Sequence, residues 1–250
     1  MITAGAMLRA MRALPLGSPD DIAQGRPLLI LAPHADDESL GCGGLIHMLS
    51  EQGKPPYVLI LTDGAGSHPN SASYPAPRLK AVRETEARQA VALLGLPADH
   101  IGFARLHDTA APIAGPSFDD AVDTVCALCH ARQVAAILAP WQHDPHCDHE
   151  AAHLMAAAAA QRLAIPHWAY PVWGWTLPEN HPLPGPEPSG MRLDIRDAMA
   201  VKSQAILAHR SQYGGLITDD PTGFSLPQRL LEVFEQPFET YLHVQAMSRS

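Results

Sequence analysis

Short, uninterrupted apolar runs, each breaking into a turn and then a helical segment, constrain the fold of this chain more than any other feature. Residues 27–32 (PLLILA), 57–62 (YVLILT), 101–106 and 134–139 have the length of strands and little polar alternation. A strand that is apolar on both sides must be covered on both faces, which is the condition of a parallel sheet held between helices. Helical segments lie between them: 40–52, ended by Gly53; 78–94, stopped before Gly95; 118–132; and the alanine-rich 149–164. Residues 168–173 read as a further strand, and 196–209 and 228–234 as late helices. The alternation predicts an α/β fold with a mostly parallel sheet. A length of 250 residues suits one α/β domain at the upper end of its size range. Residues 26–250 are expected to form it, with 1–25 as a partly helical or loose N-terminal extension of the same domain.

Composition excludes several function classes. The formal net charge is −9, from 17 basic and 26 acidic residues. A nucleic-acid binder would present a basic footprint, so no nucleic-acid partner is expected. The charge favours a neutral or cationic small molecule over a polyanion. No apolar run reaches membrane-spanning length. The first residues carry arginines but no continuous apolar core of signal type, so the reading is a cytoplasmic protein. Four cysteines are too few for a disulfide scaffold at this length. Cys126 and Cys129 form a CxxC, but inside a helical segment rather than at a helix start, and read as two half-buried thiols. Prolines number 24, and seven of them fall between Pro166 and Pro188 together with three of the four tryptophans. Segment 166–190 is either a rigid loop closing one side of the fold or a wall or lid of the site.

Parallel sheets bind ligands beyond the carboxyl ends of their strands. The loop after the first strand reads His34-Ala35-Asp36-Asp37-Glu38, one imidazole and three carboxylates in five residues. The loop after residues 134–139 contains His143, Asp144, His146, Asp148 and His149. Asp36, Asp37, Ser39 or Asp148 could simply cap the following helices. Two such clusters at matching strand ends favour a metal site instead. Hydrolytic zinc needs about three protein ligands and one open position. His34 and Asp37, three apart, could meet one ion across a turn, with the third ligand drawn from the second cluster. His153, four residues after His149, is read as a plain helical residue. Asp63, His107 and Trp173 lie at or near other strand ends and are candidates to line the pocket. Gly41-Cys42-Gly43-Gly44 lacks the spacing of a dinucleotide fingerprint, because position 46 is Ile46, and reads as close helix–sheet packing.

Pro33-His34-Ala35-Asp36-Asp37-Glu38 resembles the His-Pro-Asp-Asp-Glu signature of the PIG-L/LmbE-like N-deacetylases. Asp144-Pro145-His146-Cys147-Asp148-His149 is similar to their second motif, and Arg83-Glu84-Thr85-Glu86-Ala87 to their Arg-x-x-Glu-Ala helix. Asp194-Ile195, Lys202 and Ser211-Gln212 are similar to their C-terminal pattern, so the resemblance spans roughly residues 28–213. It implies a Rossmann-like three-layer α/β/α sandwich and a divalent metal, most commonly zinc, with iron(II) compatible with a His2Asp set. It implies removal of an N-acetyl or related N-acyl group from a small molecule, such as an N-acetylglucosamine-type amino sugar or its conjugate.

Carried onto these positions, the resemblance makes His34, Asp37 and His149 metal ligands and Asp36 the general base. His146 stabilises the oxyanion and is available to protonate the leaving amine; Asp148 orients a histidine, and Arg83 binds substrate or balances charge. Two positions depart from the pattern. Ala35 replaces proline without removing a ligand, and Cys147 replaces a proline between the two histidines. Two other readings compete: a Rossmann-type nucleotide-binding protein such as a methyltransferase, with incidental His/Asp clusters, and a metal hydrolase of a different amide or ester. A homo-oligomer is compatible with the sequence.

Overall fold

The computed structural model describes residues 1–244. Along the chain, β1 (Ile2–Thr3), α1 (Ala4–Arg12), β2 (Leu16–Gly17) and α2 (Pro19–Ala23) precede β3 (Leu28–Ala32) and α3 (Asp37–Glu51). Then come β4 (Tyr57–Thr62), α4 (Ala76–Leu93), β5 (Ile101–Leu106), α5 (Pro116–Arg132), β6 (Ala136–Pro140), α6 (Cys147–Leu163) and β7 (His167–Tyr170). The remainder is β8 (Pro182–Leu183), β9 (Gly190–Asp194), α7 (Met199–Ala208), α8 (Arg210–Tyr213), α9 (Gln228–Phe234) and β10 (Phe238–His243).

Eight strands form one sheet in the order β2-β9-β10-β7-β6-β3-β4-β5. The five from β7 to β5 are parallel. β10 runs antiparallel to both β7 and β9, so it alone opposes the common direction. The chain winds from β3 outward through β4 and β5, then returns to β6 on the other side of β3. The strand order therefore reverses between β3 and β6, and the crevice at their carboxyl ends is where an open α/β sheet binds its ligand.

Alternation of side chains across the pleat sorts the core into two layers. Leu28, Ile30, Val58 and Ile60 point to one face, under α3, α4, α7 and α9. Leu29, Leu31, Leu59 and Leu61 point to the other, under α5 and α6. Burying each such leucine or isoleucine contributes about 1.5–3 kcal/mol. The glycine run sits at a close helix–sheet contact: a Cβ at Gly41 would lie 2.3 Å from the Tyr170 ring, and one at Gly44 would lie 2.4 Å from Ile195.

Of the two alternatives for the N-terminal segment the structure has the helical one: α1 buries Met7, Leu8 and Met11 against Trp141, Ala169 and Leu183, and β2 extends the sheet. The strand expected over 168–173 ends at Tyr170, because residues Trp173–Thr176 turn as a 3-10 helix. β2, β9 and β10, which contain no continuous apolar run, complete the sheet. Cys126 and Cys129 lie in α5; burial pushes the Cys129 thiol up to about 12, and all four cysteines are free. Among the described residues no helix is long and apolar enough to cross a membrane.

Candidate metal centre

Both His/Asp clusters emerge at the β3/β6 crevice. β3 delivers His34 at its carboxyl end, and the turn into α3 brings Asp37 back beneath it. Asp37 Oδ2 accepts the His34 main-chain N–H at 2.9 Å and lies 3.2 Å from His34 Nδ1. From the first turn of α6, His149 places Nε2 at 3.3 Å from the same oxygen. Asp37 Oδ2 thus sits between two imidazole nitrogens at nearly equal distances. Four ligand atoms at about 2.0–2.1 Å from a zinc ion would be separated by about 3.3 Å at tetrahedral angles. His149 Nε2 is fully buried and makes no hydrogen bond, an orphaned donor or acceptor aimed at the cluster. The residues fit a divalent ion.

The outward nitrogens are each held by a carboxylate. His34 Nε2 lies 3.1 Å from Asp148 Oδ2 and 3.3 Å from Asp108 Oδ1. His149 Nδ1 lies 3.0 Å from Asp144 Oδ2. These carboxylates are fixed in turn: Asp148 accepts from the Thr109 and Ala111 N–H groups, and Asp144 from those of Val172, Trp173 and Gly174. Carboxylate–histidine pairs of this kind set the tautomer and aim of metal-binding imidazoles. Asp144 belongs to the second His/Asp cluster and Asp108 to the strand-end pair His107-Asp108, but which histidine each carboxylate holds follows only from the fold. The candidate His107 turns its own Nδ1 to the Asp108 carbonyl at 2.7 Å.

The charges follow from this crowding. Burial lowers the basicity of His149, but Asp37 and Asp144 outweigh it and raise its pKa to about 9. Burial acts on His34 in the same sense, but hydrogen bonds that its ring donates to Asp108, Asp148 and Asp37 leave it well above the usual histidine value. Asp37 is likewise buried, yet the two imidazoles hold it well below the usual carboxylate range. Asp36 differs: burial raises its pKa to about 6 against the opposing charge of Arg83. Its backbone sits at φ 147°, a region costly for a residue with a Cβ, by about 1–3 kcal/mol.

Arg83 is buried, donates to Ala35 O at 2.9 Å and Gly64 O at 3.2 Å, and lies 3.7 Å from Asp36 Oδ1. It therefore pins two strand-end loops beside the carboxylate. His146 caps α6, its Nδ1 accepting from Asp148 N at 3.2 Å, which leaves Nε2 to carry the proton. Burial, then the neighbouring His34 and His149, lower its pKa, so the imidazole is neutral rather than cationic.

A cavity of about 380 Å³ opens over these groups, and His34, Asp36, Asp37, Arg83, Asp108 and His146 supply its charged and imidazole lining. Leu40, Trp173, Phe224 and Leu226 supply its apolar lining, and Ser67 and Gln212 add polar groups. Of the pocket candidates, Trp173 lines it, whereas Asp63 pairs with Lys80 at 2.5 Å and, like His107, is not among the lining residues. Gln212, which falls in the C-terminal pattern of the resemblance, lines the cavity too, whereas Phe224 and Leu226, from the loop before α9, have no sequence signal pointing to them, because nothing local marks a loop that crosses to a site from far along the chain. His153, kept out of the site, turns Nδ1 to Pro140 O at 3.1 Å.

Fold and site together define an α/β sandwich with a His/Asp cluster able to hold a divalent ion at its topological switch point. The PIG-L profile, GlcNAc-PI de-N-acetylase, matches residues 29–160. The chain belongs to that family. It is 27% identical to a 1D-myo-inositol 2-acetamido-2-deoxy-alpha-D-glucopyranoside deacetylase from Rhodococcus erythropolis, over 88% of this chain and 90% of that one. Its fold matches that of N,N'-diacetylchitobiose deacetylase from Pyrococcus horikoshii, with a TM-score of 0.66, 21% identity, and coverage of 96% and 91%. It also matches a 4-carboxy-2-hydroxymuconate hydratase from Pseudomonas putida KT2440, with a TM-score of 0.63, 17% identity, and coverage of 90% and 98%. The fold alone therefore does not select the reaction, and the site residues must.

Proposed function

We propose that this protein is a divalent-metal-dependent N-deacetylase that hydrolyses the N-acetyl group of an amino sugar or its small conjugate. The observation that carries the reading is the position of Asp37 Oδ2, 3.2 Å from His34 Nδ1 and 3.3 Å from the orphaned His149 Nε2. Family membership and the deacetylase relative support the acyl group and the sugar.

His34, Asp37 and His149 would hold the ion, zinc in the first instance, with iron(II) the alternative for this donor set. When bound, such an ion polarises a carbonyl and makes a water acidic near neutral pH. Asp36 takes the proton of the attacking water: its carboxylate is close to the cavity, ionised at neutral pH, and more basic than an exposed aspartate. The same group then delivers that proton to the leaving amine, without which the tetrahedral adduct would revert to amide. His146 donates Nε2–H to the developing oxyanion. A neutral imidazole suffices for this, since Asp148 N already fixes its tautomer. Arg83 keeps the Ala35 and Gly64 carbonyls in place and tempers the pKa of Asp36, a charge-balancing role. Trp173 and Phe224, with ring centroids 5.8 Å apart, offer the sugar an apolar wall.

The test combines elemental analysis with acetate release from N-acetylglucosamine conjugates. Wild type should carry about one ion per chain and His34→Ala none. Asp36→Asn should retain the ion and lose about 10²–10⁴-fold in turnover. Retained turnover in Asp36→Asn, or a wild type that takes up no zinc or iron, would overturn the reading.

A further inference from the structure

His209 lies 171 positions from Glu38 in sequence, yet the two meet beneath the β3–α3 turn. Neither residue lines the catalytic cavity. His209 Nε2 donates to Glu38 Oε1 at 3.0 Å, and Ser39 Oγ donates to the same oxygen at 2.7 Å. The other carboxylate oxygen, Oε2, accepts the Asp36 main-chain N–H at 3.0 Å. Glu38 is fully buried and His209 is 1% exposed, so this chain of contacts has no access to water. A buried carboxylate without a cationic donor is costly, and a cationic imidazole without a carboxylate equally so. Each residue therefore fixes the other.

The geometry has a consequence one residue away. Asp36 sits at φ 147° and ψ −30°, where an aspartate does not rest unaided. Its N–H is held by Glu38, its carbonyl accepts from Ser39 N at 3.0 Å and Leu40 N at 2.9 Å, and the preceding carbonyl is held by Arg83. Among the described residues Glu38 is the side chain that accepts the Asp36 N–H, and the imidazole of His209 holds Glu38. The same turn braces two further parts of the site. Ser211 donates through N and Oγ to Glu86, one helical turn beyond Arg83, at 2.9 and 2.6 Å. Gln212 Nε2 donates to Ser67 Oγ at 3.3 Å.

We propose that His209 is a positioning residue for the reaction, holding the Asp36 main chain through Glu38 in the conformation from which the carboxylate faces the cavity. This rests on Asp36 being the general base. His209 touches neither substrate nor metal, so its loss should appear in turnover and not in metal content or substrate affinity.

A double-mutant cycle tests it. His209→Leu fills the space without a donor; His209→Gln keeps an amide donor within reach of Glu38. Metal content and KM should stay at wild-type levels in both. Turnover should fall about 10–100-fold in His209→Leu, the range for an outer-shell partner of a catalytic group, and recover in His209→Gln. In an Asp36→Asn background, His209→Leu should cost nothing further, because the group it positions is already disabled. Should His209→Leu not fold, His209→Asn, whose shorter amide falls short of Glu38, takes its place in the cycle. Turnover unchanged on loss of the donor, an equal loss in both backgrounds, or a loss matched by missing metal would overturn the proposal. If Asp36→Asn alone keeps turnover, the failure lies with the general-base reading instead.

Discussion

One turn of α6 separates two histidines with opposite electrostatics. His149 and His153 are both buried and stand four residues apart on one helix. Around His149 stand Asp37 and Asp144, and its pKa is raised to about 9. One turn on, His153 finds a carbonyl at 3.1 Å and a second histidine, His167, with ring centroids 4.9 Å apart. Burial lowers the pKa of His153, and burial with His153 beside it lowers that of His167 to about 3. Residue type, helix and burial are shared. What differs is the supply of carboxylates, and that comes from the strand ends: β3 and β6 release their acidic loops beside His149, while His153 lies farther along the helix over the apolar body of the sheet. What sets His149 apart from His153 is the pair of carboxylates that converge on it.

The sharpest way to break the comparison is to remove each histidine in turn. His149→Ala should abolish bound metal and measurable turnover, while His153→Ala should leave both unchanged by elemental analysis and acetate release. Equal effects would mean that the helix, not the carboxylate set, defines the site. Asp144→Asn tests the same point more gently. With the partner of His149 Nδ1 neutralised, metal affinity measured by competition with a chelator should drop about 10–100-fold.

The apolar end of the helix should respond to pH instead. The folded pKa of His167, about 3, lies below the ordinary 6.5, so between these values the unfolded chain binds a proton that the folded chain refuses. Its neutral burial costs no stability above pH 6.5 and progressively more as pH falls toward 3. At pH 5 the loss is about 2 kcal/mol, taking 1.36 kcal/mol per pH unit. His167→Phe should therefore lose about 2 kcal/mol less than wild type between pH 7 and pH 5, read from denaturant midpoints. The smallest effect is expected at Cys147. It lies between the two motif histidines, but its Sγ turns to the Thr109 carbonyl at 3.5 Å. Cys147→Ser should leave metal content and turnover unchanged; a changed metal preference would bring the thiol into the ligand set.

Much of this was legible in the chain. The apolar runs of β3, β4 and β6 have no polar face, so their place in a covered parallel sheet could be read directly. The two acidic loops follow them at short range, and His34, Asp36, Asp37, His146, Asp148 and His149 all meet at the crevice. β9 and β10 were less legible. Only alternate residues of β9 are buried, and β10 includes Glu239, buried because Gly44 N, Leu45 N, Lys202 and Tyr241 all donate to it. A buried carboxylate and a buried lysine read as surface until the partners are seen.

The sequence by itself determined the alternation of strands and helices, the end of the sheet at which chemistry gathers, and the residue types able to hold a divalent ion. Each is a local property: runs of apolar side chains, and acidic or imidazole groups within a few positions of a strand end. The tertiary structure alone decided the rest. It assigned Asp144 and Asp108 to the outer nitrogens of His149 and His34, brought His209 under Glu38 from across the chain, and separated His149 from His153. Those outcomes depend on which groups share a low-dielectric space, where a neighbouring charge a few ångströms away outweighs the intrinsic character of the side chain. Proximity of that kind is set by strand order and helix packing, and no stretch of sequence contains it.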